Sequence, residues 1–123
     1  MSLFLWTAAG LAGVTFVIHV FAGGKVAARP LLADASLPPE SKWLNYYCWH
    51  ITSVMIAFVC AAFIWLGASH PQPPMVILLS SLTASLALLS VGVALKGGVH
   101  PLRLPSTTLF AAISALGWAA LFT

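Results

Sequence analysis

Four long apolar segments constrain the fold of this chain more than any other feature. They cover residues 3–23, 43–68, 75–96 and 105–122. A helix needs about 20 largely apolar residues to cross a hydrocarbon core of about 30 Å, and each segment comes close to that length or exceeds it. Only 6% of the residues are charged and the mean hydropathy is +1.03, whereas a soluble domain has about 25% charged residues. The sequence therefore predicts a single all-α integral membrane domain, an antiparallel four-helix transmembrane bundle.

The basic residues predict how this bundle is oriented. Lys25, Arg29 and Lys42 lie around the connection between the first two segments, and Lys96 and Arg103 lie around the connection between the last two. These are all five Lys and Arg residues of the chain. Short loops rich in Lys and Arg stay in the cytoplasm. We therefore expect a multi-pass protein of the cell membrane, of the bacterial inner-membrane type, with cytoplasmic basic loops and with both termini on the outer side.

The same five basic residues are candidate contacts for anionic lipid headgroups or for an anionic ligand. A basic residue close to an anionic membrane surface contributes about 1 kcal/mol. Five such residues divided between two loops do not form the continuous basic stripe that binds nucleic acid. We therefore expect membrane lipids as partners and no nucleic acid.

Glycine and proline predict where the first basic loop begins and ends. Gly23 and Gly24 lie at the end of the first apolar segment, and glycine is common at helix C-termini. Pro38 and Pro39 precede the second segment, and proline is tolerated in the first turn of a helix. The sequence thus predicts that the first helix ends at these glycines and that residues 24–41 form the longest non-helical stretch.

Histidine supplies the candidate site. His19 and His50 lie within the first and second segments, at their cytoplasmic ends, and His100 lies in the second basic loop. Polar side chains within a membrane span usually face the bundle interior or a cavity. We therefore expect His19 and His50 to face each other between the helices. Residues at helical spacing on the same faces are small or apolar, which favours close helix approach: Ala8, Leu11, Ala12 and Thr15 with His19, and Ser53, Ala57, Cys60 and Ala61 with His50.

Two kinds of cofactor fit these histidines. Haem b takes two axial histidines from neighbouring helices, which His19 and His50 would supply. A divalent metal needs three or four ligands, and His100 would then be the third protein ligand.

Three functions remain open from the sequence. The first is a protein that binds haem or a metal through histidine near the cytoplasmic leaflet. The second is a non-catalytic membrane subunit, or a self-associating bundle, whose histidines are structural. The third is a small enzyme that acts on a lipid or a quinone at the inner interface with His50, His100 and Arg103.

Small and hydroxylated residues predict the packing contacts. The hydroxyls of the third segment are expected to form hydrogen bonds between helices or with their own backbone; they are Ser80, Ser81, Thr83, Ser85 and Ser90. The small residues of the fourth segment are candidate contacts in a homo-oligomer or a larger membrane complex; they are Ala111, Ala112, Ala115, Gly117 and Ala119.

Overall fold

The computed structural model describes residues 2–70 and 72–123, and every regular element in this part of the chain is helical. Helix α1 leads without a break into a π-helical segment and then into a short helix α2. The other main elements are three helices and one turn of 3₁₀ helix. The bounds are α1 Ser2–Val17, the π segment Ile18–Ala28, α2 Arg29–Ala33, α3 Pro39–Ala68, α4 Pro73–Lys96, the 3₁₀ turn Pro101–Arg103 and α5 Pro105–Ala120.

Three helical stretches are long and apolar enough to cross a membrane, which supports the prediction of a membrane protein. They are Leu3–Ala33, Pro39–Ala68 and Pro73–Lys96. Helix α5 has 16 residues, or about 24 Å at 1.5 Å per residue, so it falls short of a full crossing by length alone. The all-helical fold is confirmed, while the fourth crossing and the orientation of the termini stay predictions.

The first helix does not end at Gly23 and Gly24, so that prediction was wrong. Both glycines lie inside the π segment, where the N–H of Arg29 still donates to the carbonyl of Gly24, five residues earlier. Only residues 34–38 are non-helical before α3 begins. Inside a bilayer, backbone groups have no water to bond, so a continuing helix is favoured over an early loop despite the low helix propensity of glycine.

Helix α1 packs against both α3 and α5, and α5 also packs against α4, whereas α3 and α4 make only a minor contact. The buried face of α1 includes Leu5, Ala8, Ala12 and Thr15. This confirms the predicted inward face of α1 for Ala8, Ala12 and Thr15. The small side chains let the neighbouring helices approach closely.

Hydroxyl groups join α4 to α5, as the sequence predicted for Ser90, whereas the Ser80 hydroxyl donates to the Val76 carbonyl of its own helix at 2.7 Å. The Ser114 hydroxyl donates to the Ser80 carbonyl at 2.8 Å. Ser90 Oγ lies 2.7 Å from Ser106 Oγ and 2.8 Å from Thr107 Oγ1. Such bonds contribute about 0.6 kcal/mol on average in a membrane, so they add specificity to an interface that packing already holds.

Gly117 lies in the same interface rather than on the surface of the bundle. A Cβ at this position would collide with the side chain of Ser80, so glycine permits the close approach of α5 to α4. Contact with a second copy stays a prediction for the small residues of α5 that are exposed, which are Ala111, Ala112 and Ala115.

Candidate functional site

A cavity of about 450 Å³ lies at one end of the space between α3 and α5. In the described residues, the backbones of these two helices do not pack directly on each other. Toward the end of α3, the fully buried Phe63 reaches across the space to Gly117. At the other end, the α3 residues facing the same space are Trp49, Thr52 and Ile56, and the space stays open.

The cavity brings three parts of the chain to one end of the bundle. We call this the basic end, because Lys25, Arg29, Lys42, Lys96 and Arg103 all lie in or beside these parts. Helix α1 and the π segment form one wall with Thr15, Ile18, His19, Ala22, Gly23, Val26 and Ala27. Helix α3 forms the second wall, and the third runs from Arg103 to Phe110 at the start of α5.

His19 is one of two predicted site residues, with Arg103, that the structure places on the cavity wall. Its Nε2 lies 3.1 Å from Ser53 Oγ and 3.3 Å from the Trp49 carbonyl oxygen. The Ser53 hydroxyl itself donates to the Trp49 carbonyl at 3.3 Å, so its oxygen is left to accept from His19. These contacts are satisfied together when Nε2 of His19 carries the proton and Nδ1 is an acceptor.

The indole of Trp49 is held between two parts of the π segment. Its ring stacks on the imidazole of His19, with centroids 3.9 Å apart and planes 18° from parallel. A Cβ on Gly23 would lie only 2.6 Å from Cη2 of this indole, so glycine lets the ring lie against the π segment without displacement. The wide π helix thus places His19 and Gly23 against one aromatic ring, and π-helical turns are frequent at functional sites.

His50 does not share this site, contrary to the expectation that it faces His19. It is exposed, and its ring meets Tyr46 edge-on with centroids 4.5 Å apart. The inward face of α3 is instead the one that carries Trp49, Ser53 and Ile56. Since His50 follows Trp49 directly, it is turned by about 100° away from that face.

His100 is also separate from the cavity. It is exposed in the turn before α5, and its Nδ1 accepts the backbone N–H of Leu102 at 3.3 Å. Within residues 2–70 and 72–123, no three His, Cys, Asp or Glu side chains form a group that could hold a metal ion. The metal centre of His19, His50 and His100 therefore has no support, and a haem held by His19 and His50 stays a prediction.

Arg103 is the charged residue on the cavity wall. It lies in the 3₁₀ turn that leads into α5 and is exposed. The chain has two carboxylates, Asp34 and Glu40, and neither lines the cavity. The cavity therefore has a positive charge at its mouth and an otherwise neutral, mainly apolar wall.

The remaining basic residues surround this end of the bundle. Lys25, Arg29 and Lys96 are exposed, and Lys42 Nζ donates to the Leu32 carbonyl at 3.3 Å. The Lys42 bond joins the start of α3 to α2, so Lys42 helps to hold the turn between them. Contact of these residues with anionic lipid stays a prediction.

Asp34 accepts hydrogen bonds within the turn between α2 and α3 rather than from an arginine. Its Oδ1 accepts the Ser36 hydroxyl at 2.6 Å and the Ser36 N–H at 2.7 Å. These hydrogen bonds, with a smaller contribution from the positive charge of Lys42, hold the pKa of Asp34 below its ordinary value. The carboxylate is thus kept ionised within its own turn.

Sequence reasoning missed three residues of this site. Gly23 was interpreted as a helix end, Ser53 was interpreted as a neighbour of His50 rather than of His19, and Trp49 was given no place in the site. One signal was available, because Trp49 and Ser53 are four residues apart and so share a helix face. The spacing alone does not show that this face, and not that of His50, turns toward α1.

Comparison with protein-family models, with curated proteins and with solved structures found no match to this chain.

Proposed function

We propose that this chain is a four-crossing membrane protein that binds a small amphiphilic molecule in the cavity at its basic end. The observation that carries this proposal is the cavity itself. Its volume of about 450 Å³ lies within the range of about 300–1,000 Å³ that is usual for small-molecule sites. A single buried water needs only about 10–15 Å³, so the space suits a molecule of many atoms.

The chemistry of the wall indicates an amphiphile rather than a polar solute. The deeper part of the wall is apolar, with Ile56, Leu109 and Phe110, whereas Arg103 lies in the 3₁₀ turn before α5 and Ser106 lies in the first turn of α5. A molecule with an apolar body and a hydrogen-bonding head matches both parts. Lipids and quinones are amphiphiles of this kind, and both are present in the membrane.

The proposed topology places this cavity at the cytoplasmic leaflet of the cell membrane. Its support is the collection of all five Lys and Arg at the basic end, since such residues favour the cytoplasm. Helix α5 would be the fourth crossing. Its 16 residues are short for a 30 Å core, but a short helix is accommodated by local thinning of the bilayer or by snorkelling of flanking residues.

The other functions are less well supported by the same geometry. Of the two histidines proposed to bind haem, only His19 lines the cavity. Of the three residues proposed for an enzyme, His50, His100 and Arg103, only Arg103 lines it. The contacts of His19 with Ser53 and Trp49 are those expected of a histidine that stabilises the packing of helices, as in a non-catalytic subunit. An absorbance spectrum of the purified protein tests the haem proposal. A Soret band that disappears in the His19→Ala/His50→Ala variant would establish haem as the ligand.

Trp49 provides a direct assay for amphiphile binding because it lies on the cavity wall. The protein would be prepared with Phe in place of the chain's other tryptophans and reconstituted in unbrominated lipid. A fatty acid with a brominated chain is then added at low mole fraction, and quenching of Trp49 fluorescence is measured. We expect quenching that saturates with the concentration of the brominated acid.

A pair of matched substitutions distinguishes binding in the cavity from collision in the lipid. Leu109→Phe enlarges a side chain on the wall and should weaken saturable quenching severalfold. Leu88→Phe makes the same change on α4 at a position that is 71% exposed, and it should have no effect. Quenching that rises without saturation, equally in both variants, would contradict the proposal.

A further inference from the structure

We infer that the cavity selects an amphiphile with an anionic head and that Arg103 is the ionic partner of that head. The inference rests on the proposed function and specifies its ligand class. Arg103 is the one charged residue among those that the structure places on the cavity wall. Asp34 accepts hydrogen bonds from Ser36, and Glu40 lies in the first turn of α3, so neither carboxylate of the chain neutralises the wall.

The position of Arg103 also sets the orientation of the ligand. Arg103 precedes α5, and Ser106 is three residues further along, with its Oγ 2.7 Å from Ser90 Oγ. The apolar wall continues from there to Phe110. On α3, the wall runs from Trp49 to Ile56, roughly 10 Å at 1.5 Å per residue. The head would thus lie at the mouth beside Arg103 and the chain would extend between the helices.

Electrostatics favours an anion over a neutral head at this position. A cation at the edge of a hydrocarbon region is costly unless it is paired or reaches water. A guanidinium forms charge-assisted hydrogen bonds with a carboxylate or a phosphate, and these are about twice as strong as bonds to neutral acceptors. A quinone carbonyl would also accept a hydrogen bond from Arg103, but without the attraction between charges.

Two sources would supply this chemistry, a free fatty-acid carboxylate and the phosphate of a phospholipid. Three probes with the same brominated chain separate the possibilities: the fatty acid, its methyl ester, and a single-chain lysophosphatidic acid. Each is titrated against Trp49 fluorescence at a pH where the acid is ionised. We expect the fatty acid or the lysophosphatidic acid to bind at least about tenfold tighter than the ester. Whichever anion binds more tightly identifies the source.

Substitution of Arg103 tests the assignment of the partner. Arg103→Gln should bring the affinity for the acid close to that for the ester, whereas Arg103→Lys should retain most of the preference because it retains the charge. Leu102→Gln is the control, because Leu102 is 67% exposed and does not line the cavity. That variant should keep the full preference for the anion.

The outcomes separate this inference from the proposed function. If the anionic probes and the ester bind equally to the unsubstituted protein, the selection of an anionic head is overturned. If Arg103→Gln keeps the full preference, the assignment of Arg103 as the ionic partner is overturned. In both cases the cavity remains a binding site. If none of the three probes shows saturable quenching, the proposed function itself fails.

Discussion

Replacing Gly23 with alanine tests how closely the π segment holds the indole of Trp49. The added Cβ would lie 2.6 Å from Cη2 and 3.3 Å from Cζ2 of the indole. Two carbon atoms prefer a separation of about 3.5–4.0 Å, so the ring would have to move by about 1 Å. That movement would disturb its stack on His19, whose centroid is 3.9 Å from that of Trp49.

The adjacent glycine is a matched control for this substitution. A Cβ on Gly24 would meet no atom within 4 Å. Alanine at either position gains roughly 0.5–1 kcal/mol in helix propensity, and only Gly23→Ala adds the cost of overpacking, about 1–3 kcal/mol. The gain in helix propensity is common to both variants and cancels in the comparison. We therefore expect Gly23→Ala to be less stable than Gly24→Ala by the cost of overpacking, about 1–3 kcal/mol.

Unfolding by denaturing detergent in mixed micelles measures this difference, and a second substitution tests its cause. Trp49→Phe removes both of the ring carbons that the new Cβ would contact. In that background, Gly23→Ala and Gly24→Ala should agree within about 0.5 kcal/mol. The reasoning would be refuted if the two glycine variants were equally stable with Trp49 present, or if their difference persisted with phenylalanine at position 49.

Three further predictions concern other parts of the molecule. Ser90→Ala removes both hydroxyl contacts to α5 and should cost about 1 kcal/mol in detergent unfolding, whereas Ser85→Ala, whose hydroxyl bonds only to its own helix, should cost much less. Hydrogen bonds lower the pKa of Asp34. They therefore stabilise the folded turn at pH values above the ordinary carboxyl pKa, and this stabilisation is lost as the pH falls through the lowered pKa. Ser36→Ala should therefore raise the carboxyl pKa in an NMR titration, and an unchanged pKa would refute the role of Ser36. In a cysteine-free background, Ser36→Cys should resist an impermeant thiol reagent added to intact cells while His70→Cys reacts, and the reverse pattern would refute the orientation.

The sequence was sufficient for the all-helical fold, for helices apolar and long enough to cross a membrane, and for part of their packing. The length and apolar character of the segments indicated helices, because backbone groups in a bilayer must be hydrogen-bonded within the protein and a spanning strand needs only about 9–11 residues. Small residues marked the buried face of α1 at Ala8 and Ala12. A hydroxyl marked part of the contact between α4 and α5, at Ser90. These features are local, so residue type and helical spacing predict them.

Only the tertiary structure decided which residues meet at the cavity. His19 contacts Trp49 and Ser53, while His50 is exposed. In a soluble helix, polar residues would have marked the outward face. Here apolar side chains cover both the lipid-facing and the buried faces, because lipid is as apolar as the protein interior. The sequence therefore determined that these segments form apolar helices, three of them long enough to cross a membrane, whereas the rotation of α3 about its axis, and with it the composition of the site, came from the fit of one helix against another.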